Sequence, residues 1–527
     1  MPTIGVRPNA RAEWEDYVRT RDRVDRDEVF LEVTRSICPV CKRVLDAEVN
    51  ARDDQVFLRK RCPEHGPFEA RVYGDATMYV EAMRFNKPGT IPLETQTEVL
   101  EGCPLDCGLC PEHKQHACLG VIEVNSACNL DCPICFADSG HQPDGFTLTD
   151  EQVERALDAF VRAEGEPEVV MFSGGEPSIH PRILELLALA RSKPIRHVVL
   201  NTNGIRLARD PSFAPALADL GVSIYLQFDG LRRETHEAIR GRDLREVKDR
   251  ALAACAEAGL TVALVAAVER GVNEDEVGDV LRFGLAHPAV RSVVYQPVTH
   301  AGRHLEFDPK TRLTNSDVIH GIVEQMRDTL VASDFFPVPC CFPTCRSVTY
   351  LLVEGETIVP IPRVLRVEDY LDYVTNRVLP DPAIRGALEK LWSASAVPGT
   401  GSMAEQLACA TCVIDLPAAV RDVSTKAFMV VIQDFQDAYT LNVKQLMKCC
   451  VEQLTPDGRL IPFCAYNSVG YREQIRATLT GVAVPDVVPN ARELLPILRI
   501  GPHGSRVAAD GATAGPRAPA RNIGSSL

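Results

Sequence analysis

The sequence predicts an α/β protein: a curved parallel sheet of six βα units, closing into a full or partial barrel of the TIM type. An N-terminal metal module and a C-terminal cysteine-rich domain are added to it. Two observations carry this reading. From about residue 119 to 300, short β-branched strands alternate with amphipathic helices, the rhythm of consecutive βα units. Outside that stretch most of the 19 cysteines fall in short-spaced groups. In a reducing compartment such groups read as metal ligands rather than disulfides.

The candidate strands are Gly120–Asn125, Glu168–Ser173, His197–Asn201, Val222–Asp229, Leu260–Glu269 and Arg291–Pro297. After the first, Thr149 and Gln152 carry a capping-box signature. Val153, Ala156, Leu157 and Phe160 then recur at helical spacing, so a helix with one apolar face starts there. Right-handed crossovers put the helices outside the sheet and place function at the strand C-terminal ends. The barrel core is expected over 120–310, preceded by an extension (1–34), a metal module (35–90) and a cysteine segment (91–119). A C-terminal domain (311–500) follows, and the Gly-, Ala-, Pro-, Arg- and Ser-rich residues 501–527 should be a disordered tail.

Composition narrows the function classes. The 527 residues carry a formal net charge of −15, which opposes sequence-independent attraction to nucleic acid. No apolar run approaches the ~20 residues of a membrane span. The N-terminus lacks an apolar signal region, so the expected location is cytoplasmic.

The chemistry-bearing segment follows the first strand: Cys128, Cys132 and Cys135 in a C-x3-C-x2-C run. Three thiolates can hold three irons of a [4Fe–4S] cube and leave the fourth open to a ligand. The alternative is a zinc knuckle, but structural zinc wants four closed ligands and no fourth cysteine follows nearby. Just upstream, Cys103, Cys107, Cys110 and Cys118 suffice for a complete auxiliary cluster, with a closed zinc site as the other reading. Further upstream, Cys38, Cys41, Cys62 and His65 make a Cys3His set for one mononuclear Zn or Fe. The C-terminal part holds Cys340, Cys341, Cys345, Cys409, Cys412, Cys449, Cys450 and Cys464. One cube built from Cys340, Cys345, Cys450 (or Cys449) and Cys464 is expected. Cys255 reads as a buried thiol, and His180 and His300 as turn or helix-start residues.

Joined to the later strand ends, the cysteine loop resembles a radical S-adenosylmethionine enzyme. The match comprises Cys128, Cys132 and Cys135 with Phe136, Ser173-Gly-Gly-Glu-Pro177, Asn201-Thr-Asn-Gly204, Leu226-Gln-Phe-Asp-Gly230 and Ile239-Arg-Gly241. The resemblance implies S-adenosylmethionine on the open iron and a 5′-deoxyadenosyl radical that attacks an unactivated carbon. Cofactor contacts would come from Phe136, Gly174, Gly175, Glu176, Asn201, Asn203, Gln227 and Asp229. Backbone groups of Gly174 and Gly175 would face the methionyl ammonium, and Asn201 and Asn203 the ribose. With the N-terminal knuckle and the block Met447-Lys-Cys-Cys450 to Ile461-Pro-Phe-Cys-Ala-Tyr-Asn467, the chain is similar to tetraether lipid synthases. That group also includes 7,8-dihydro-6-hydroxymethylpterin dimethyltransferase-like proteins. The cysteine sets count to three [4Fe–4S] clusters, and the resemblance implies a small-molecule or lipid substrate, a donor such as ferredoxin or flavodoxin, and peripheral contact at the inner membrane face. Lipid C–C coupling is the first reading, radical methylation of a pterin-type precursor the alternative, and non-catalytic electron transfer the third.

Overall fold

The computed structural model describes residues 27–140, 145–304, 307–339, 341–355, 357–363 and 427–481. The expected tail, and Cys340, Cys409 and Cys412, lie outside these residues.

An antiparallel meander opens the chain: β1 (Val29–Ile37), β2 (Val44–Arg52), β3 (Gln55–Cys62) and β4 (Gly66–Tyr73), adjacent in that order. It begins ahead of residue 35, where the sequence reading placed the module's start. On β3 the buried positions alternate as Val56, Leu58, Lys60 and Cys62, the period of two of a half-buried strand. Lys60 breaks the apolar series because this face docks on the larger domain. Its Nζ donates to Ser36 Oγ (2.9 Å) and to the carbonyls of Ala438 (2.7 Å) and Tyr439 (2.9 Å). Arg71 adds a two-pronged ion pair to Asp317, with both N–O distances 2.8 Å.

The six expected strands form as β5 (Leu119–Glu123), β6 (Val169–Ser173), β7 (His197–Thr202), β8 (Val222–Gln227), β9 (Val262–Val268) and β10 (Val290–Pro297). They are parallel and adjacent in chain order. Alternate residues face opposite sides of the sheet. Val170 and Phe172 of β6 pack outward with Leu157 and Phe160 of the helix Asp150–Glu164. Val169 and Met171 face inward with Val121, Val199, Val265 and Val294. The capping box starts that helix: Gln152 N donates to Thr149 Oγ1, and Thr149 N to Gln152 Oε1.

Beyond residue 310 come β11 (Phe336–Pro337), β12 (Arg346–Glu354), β13 (Thr357–Pro360), β14 (Ala427–Gln433), β15 (Val451–Leu454) and β16 (Leu460–Pro462). They extend the same sheet, in the order β11-β12-β14-β10-β9-β8-β7-β6-β5-β15-β16. β14 lies parallel to β10 and β15 parallel to β5, so eight parallel strands stand side by side. Part of the segment read as a separate C-terminal domain therefore completes the barrel wall. The reason is visible in β14, Ala427-FMVVI-Gln433, an apolar run buried along its whole length as interior parallel strands are.

Candidate active site

The loop after β5 is built by its neighbours. Gly175 N donates to Asn125 O (2.8 Å) and Glu176 N to Ala127 O (2.9 Å), seating the turn after β6 on the loop's first residues. A Cβ on Gly175 would collide with the Ala127 carbonyl, so only glycine allows this approach. On the far side Cys135 and Arg303 exchange backbone hydrogen bonds (3.0 and 2.8 Å), and Arg303 Nε donates to Cys132 O (2.9 Å). Gly302, at φ 64°, packs equally tightly on the Cys135 and Phe136 carbonyls. Held this way, Cys128, Cys132, Cys135 and Phe136 line one chamber of about 270 Å³.

The donor set fits a cube anchored through three irons. The three thiols form no disulfide, and Leu130 N and Ser139 N approach Cys128 Sγ and Cys135 Sγ at 3.4 Å, as amides do around cluster sulfurs. Burial pushes the Cys128 thiol up to about 12, so its thiolate needs nearby positive charge. Cys132 is also raised by burial, while the Arg240 guanidinium pulls the other way by charge and hydrogen bond.

The strand-end residues divide into two layers. Gly174, Gly175, Glu176, Asn201, Asn203 and Gln227 line the chamber with Phe136. The amides of Gly175 and Glu176 are spent on the loop, however, so of the Gly175 backbone groups that the sequence reading turned to the methionyl ammonium the amide is already engaged. The Glu176 carboxylate accepts from Thr202 Oγ1 (2.7 Å), Asn203 N (2.8 Å) and Ser178 N (3.0 Å), tying the turns after β6 and β7 together. Asn203 Nδ2 donates to Asn129 Oδ1 (2.7 Å) inside the cysteine loop, and Asn201 Nδ2 to Ser173 Oγ (3.1 Å). Asp229 stands behind the wall rather than in it, because Arg240 covers it with two 2.7 Å ion-pair contacts. Despite burial, the Arg240 charge holds the Asp229 carboxyl below its ordinary range. The Gln227 side-chain amide lies beside the same Arg240 guanidinium.

Several wall residues escaped the sequence reading. Arg240 stands in Ile239-Arg-Gly241 without a role in the sequence reading, because its pairing with Asp229, 11 residues earlier, is made only by the fold. Glu123, the last residue of β5, pairs with Arg472 (2.6 Å) and accepts from Tyr466 OH (3.2 Å). Arg346 and Gln433 enter from β12 and β14. No local motif marks these, since only the sheet order brings them to the chamber. His180 and His300 are outside its wall. His180 is buried with Nε2 3.3 Å from Leu148 O, and the His300 ring stacks on Phe307.

The remaining thiols form three places. In the N-terminal module Cys38, Cys41, Cys62 and His65 converge, their ligand atoms all within 4.8 Å of one another, which fits one tetrahedral metal. Cys103, Cys107 and Cys110 close on a small gap beside His113 and Met447, with Cys107 pushed well up, chiefly by its hydrogen bond with Cys103. Cys464 packs in the same apolar cluster as Cys103 and Cys107. Cys118 goes elsewhere. Leu119 and Val451 are register partners, so Cys118 and Cys450, one residue earlier on each strand, sit side by side at the opposite end of β5 from the cysteine loop. Cys450 Sγ lies 3.2 Å from Cys341 Sγ, and hydrogen bonds from Cys118 and Cys341 hold the Cys450 thiol well below its usual value. Sequence proximity grouped Cys118 with Cys110; sheet register groups it with Cys450. Cys345 is hydrogen-bonded through Sγ to Gln433 Nε2 (3.2 Å), and Cys255 is a buried thiol in the outer core.

Comparison with known proteins agrees with this geometry. Residues 122–284 match the Radical SAM superfamily, and residues 30–74 match the HMPTM N-terminal zinc ribbon domain. The chain is 32% identical over 480 residues to the 7,8-dihydro-6-hydroxymethylpterin dimethyltransferase of Methanocaldococcus jannaschii, covering 84% of this chain and 94% of that protein. It is 34% identical over 173 residues to the GTP 3′,8-cyclase of Streptomyces coelicolor, of which it covers 49%. Among solved structures, SuiB of Streptococcus suis bound to S-adenosylmethionine aligns at 15% identity and a TM-score of 0.31, over 37% of this chain and 44% of that one. With three loop cysteines at the chamber and a similarity that runs through both the ribbon and the barrel, this chain is a radical SAM enzyme and belongs to the family of the M. jannaschii dimethyltransferase.

Proposed function

We propose that this enzyme methylates a pterin-type cofactor precursor by radical chemistry. The observation that carries the reading is the near full-length similarity to a protein named for dimethylation of 7,8-dihydro-6-hydroxymethylpterin. This reverses the order of the two enzyme readings drawn from sequence, in which lipid C–C coupling stood first. The chamber's character supports the reversal: inward valines and methionine make an apolar body, and a few polar side chains converge on it.

In this reading Cys128, Cys132 and Cys135 hold the radical cluster, and Phe136, Gly174, Gly175, Asn201, Asn203 and Gln227 form the nucleoside side of the chamber. When bound, the cluster supplies the electron that cleaves S-adenosylmethionine to methionine and a 5′-deoxyadenosyl radical. The protein's own part is to fix the loop through Arg240 and Arg303 and to keep water from the chamber. Glu176 and Asp229 act as positioning residues. Cys103, Cys107 and Cys110 are assigned to one auxiliary cluster, and Cys118, Cys341 and Cys450 to a second. Cys38, Cys41, Cys62 and His65 are assigned to one metal ion. A small molecule is the substrate, and an electron donor such as ferredoxin or flavodoxin reduces the enzyme.

The test is anaerobic incubation of cluster-loaded enzyme with reductant, 7,8-dihydro-6-hydroxymethylpterin and methyl-labelled S-adenosylmethionine, with and without a reduced folate as one-carbon donor, followed by mass spectrometry; the methyl of each S-adenosylmethionine cleaved to the radical leaves with methionine, so a separate donor must supply the carbon. A pterin gaining the mass of one or two methyl groups is the expected result. Rapid cleavage of S-adenosylmethionine with unmodified pterin, together with altered lipids in cells lacking the gene, would overturn it.

A further inference from the structure

Among the described residues two carboxylates line the chamber, Glu123 and Glu176, and they differ in what they have left to give. Glu176 is spent on the turns, where it takes one hydroxyl and two amides. Glu123 ends β5 on the inward face that Leu119 and Val121 share, and it is 8% exposed. Its Oε1 pairs with Arg472 Nη1 (2.6 Å), on the helix Tyr471–Thr480, and its Oε2 accepts from Tyr466 OH (3.2 Å). A carboxylate has about four acceptor sites, so one donor on each oxygen leaves each oxygen room for one more. The rings of Phe435 and Phe463 line the same chamber with centroids 4.8 Å apart, and Phe463 stacks on Phe136 at 5.3 Å. Flat apolar surfaces and a fixed two-oxygen acceptor thus share one enclosure.

Resting on the pterin reading, we propose that Glu123 is the specificity-determining residue for the substrate ring, accepting a parallel pair of hydrogen bonds from the ring's N3–H and its 2-amino group. In a 7,8-dihydropterin these donors stand side by side on one edge, as two N–H groups of a guanidinium do. A carboxylate takes such a pair with one oxygen for each, which fixes the ring's plane and direction as well as binding it. Because Arg472 and Tyr466 hold the carboxylate beforehand, little side-chain freedom is lost when the ring arrives. A lipid chain carries no such donors and sets hydrocarbon against a buried charge, so this wall selects against it.

The experiment is anaerobic equilibrium titration of cluster-loaded enzyme with 7,8-dihydro-6-hydroxymethylpterin and with its 2-desamino analogue, which keeps N3–H but lacks the amino donor. Wild-type enzyme should bind the dihydropterin about 10-fold or more tighter than the analogue. Glu123→Gln keeps one acceptor oxygen for Arg472 but turns the other into a donor. It should weaken the dihydropterin by about 10- to 100-fold and erase the preference, while Glu123→Asp, which keeps both oxygens, should retain a preference at reduced affinity. Titration with S-adenosylmethionine reports whether each variant still forms the cofactor site. If Glu123→Gln loses that affinity too, the wild-type preference and Glu123→Asp decide the matter. Equal wild-type affinity for the two pterins, or an unchanged preference in a Glu123→Gln enzyme that binds S-adenosylmethionine normally, would overturn the assignment. Absence of dihydropterin binding by wild-type enzyme that still cleaves S-adenosylmethionine would remove the substrate reading itself, and this assignment with it.

Discussion

At the scale of single residues, the cysteine loop is held by arginines and glycines more than by its own hydrogen bonds. Gly302 is the sharpest case, because its positive φ and its contact with the Cys135 carbonyl both exclude a side chain. Gly302→Ala should therefore lower S-adenosylmethionine cleavage by roughly 10-fold or more and reduce bound iron, read by product chromatography and iron analysis. Replacing Cys128, Cys132 and Cys135 together by Ala should abolish cleavage while sulfide from the other thiol groups persists; complete loss of sulfide would refute the auxiliary assignments. The Asp229–Arg240 pair makes a separate case. Asp229→Ala would strand a buried guanidinium and should cost about 3–5 kcal/mol of stability, measured by denaturant unfolding. These roles were only partly legible in the sequence. Cysteine spacing carries the loop chemistry on its face, whereas Asp229 looked like a ligand because a strand-end carboxylate is the same letter whether an arginine covers it or not.

At the scale of elements, the helix Asp150–Glu164 shows a local signal and a tertiary one together. Its capping box was readable from Thr149 and Gln152. What its last residue does was not: Glu164 Oε1 accepts from Ala117 N (2.9 Å), fastening the helix to the lead-in of β5. Burial raises the Glu164 carboxyl to about 8. Because the folded value lies above the unfolded one, the group is protonated in both states below about pH 4.5, and no stability is lost there. As pH rises through about 8 the native state is left with a buried carboxylate, so stability falls across that window. Glu164→Gln keeps the acceptor and removes the titration. The wild-type unfolding midpoint should drop relative to the variant between pH 6 and 8.5, by on the order of 1–3 kcal/mol; parallel curves would show that the carboxyl is not shifted. Among the strands, β5 to β10 were legible because each β-branched run is followed by an amphipathic helix. β14 and β15 were not assigned to the barrel, because strand order is a property of the sheet and Glu452 and Gln453 disguise β15 as a polar segment.

At the scale of the whole molecule, the ribbon is attached to the chamber by the chain from Gln433 to Asn442. Gln433 and Phe435 line the chamber, while Ala438 and Tyr439 accept from Lys60 and Asn442 meets Thr34 (2.6 Å). Emptying the ribbon's metal site with Cys62→Ser should thus weaken dihydropterin affinity as well as remove one equivalent of metal. Full affinity in a metal-free ribbon would uncouple the two. The pairing of β15 with β5 has a bearing on how the protein is made. A ribosome delivers Cys118 about 330 residues ahead of Cys450, yet the structure places them as lateral neighbours. Until β15 has been made, the wall beside β5 lacks its neighbour on that side. Closing that side of the thiol site therefore waits on β15, which pairs in register with β5.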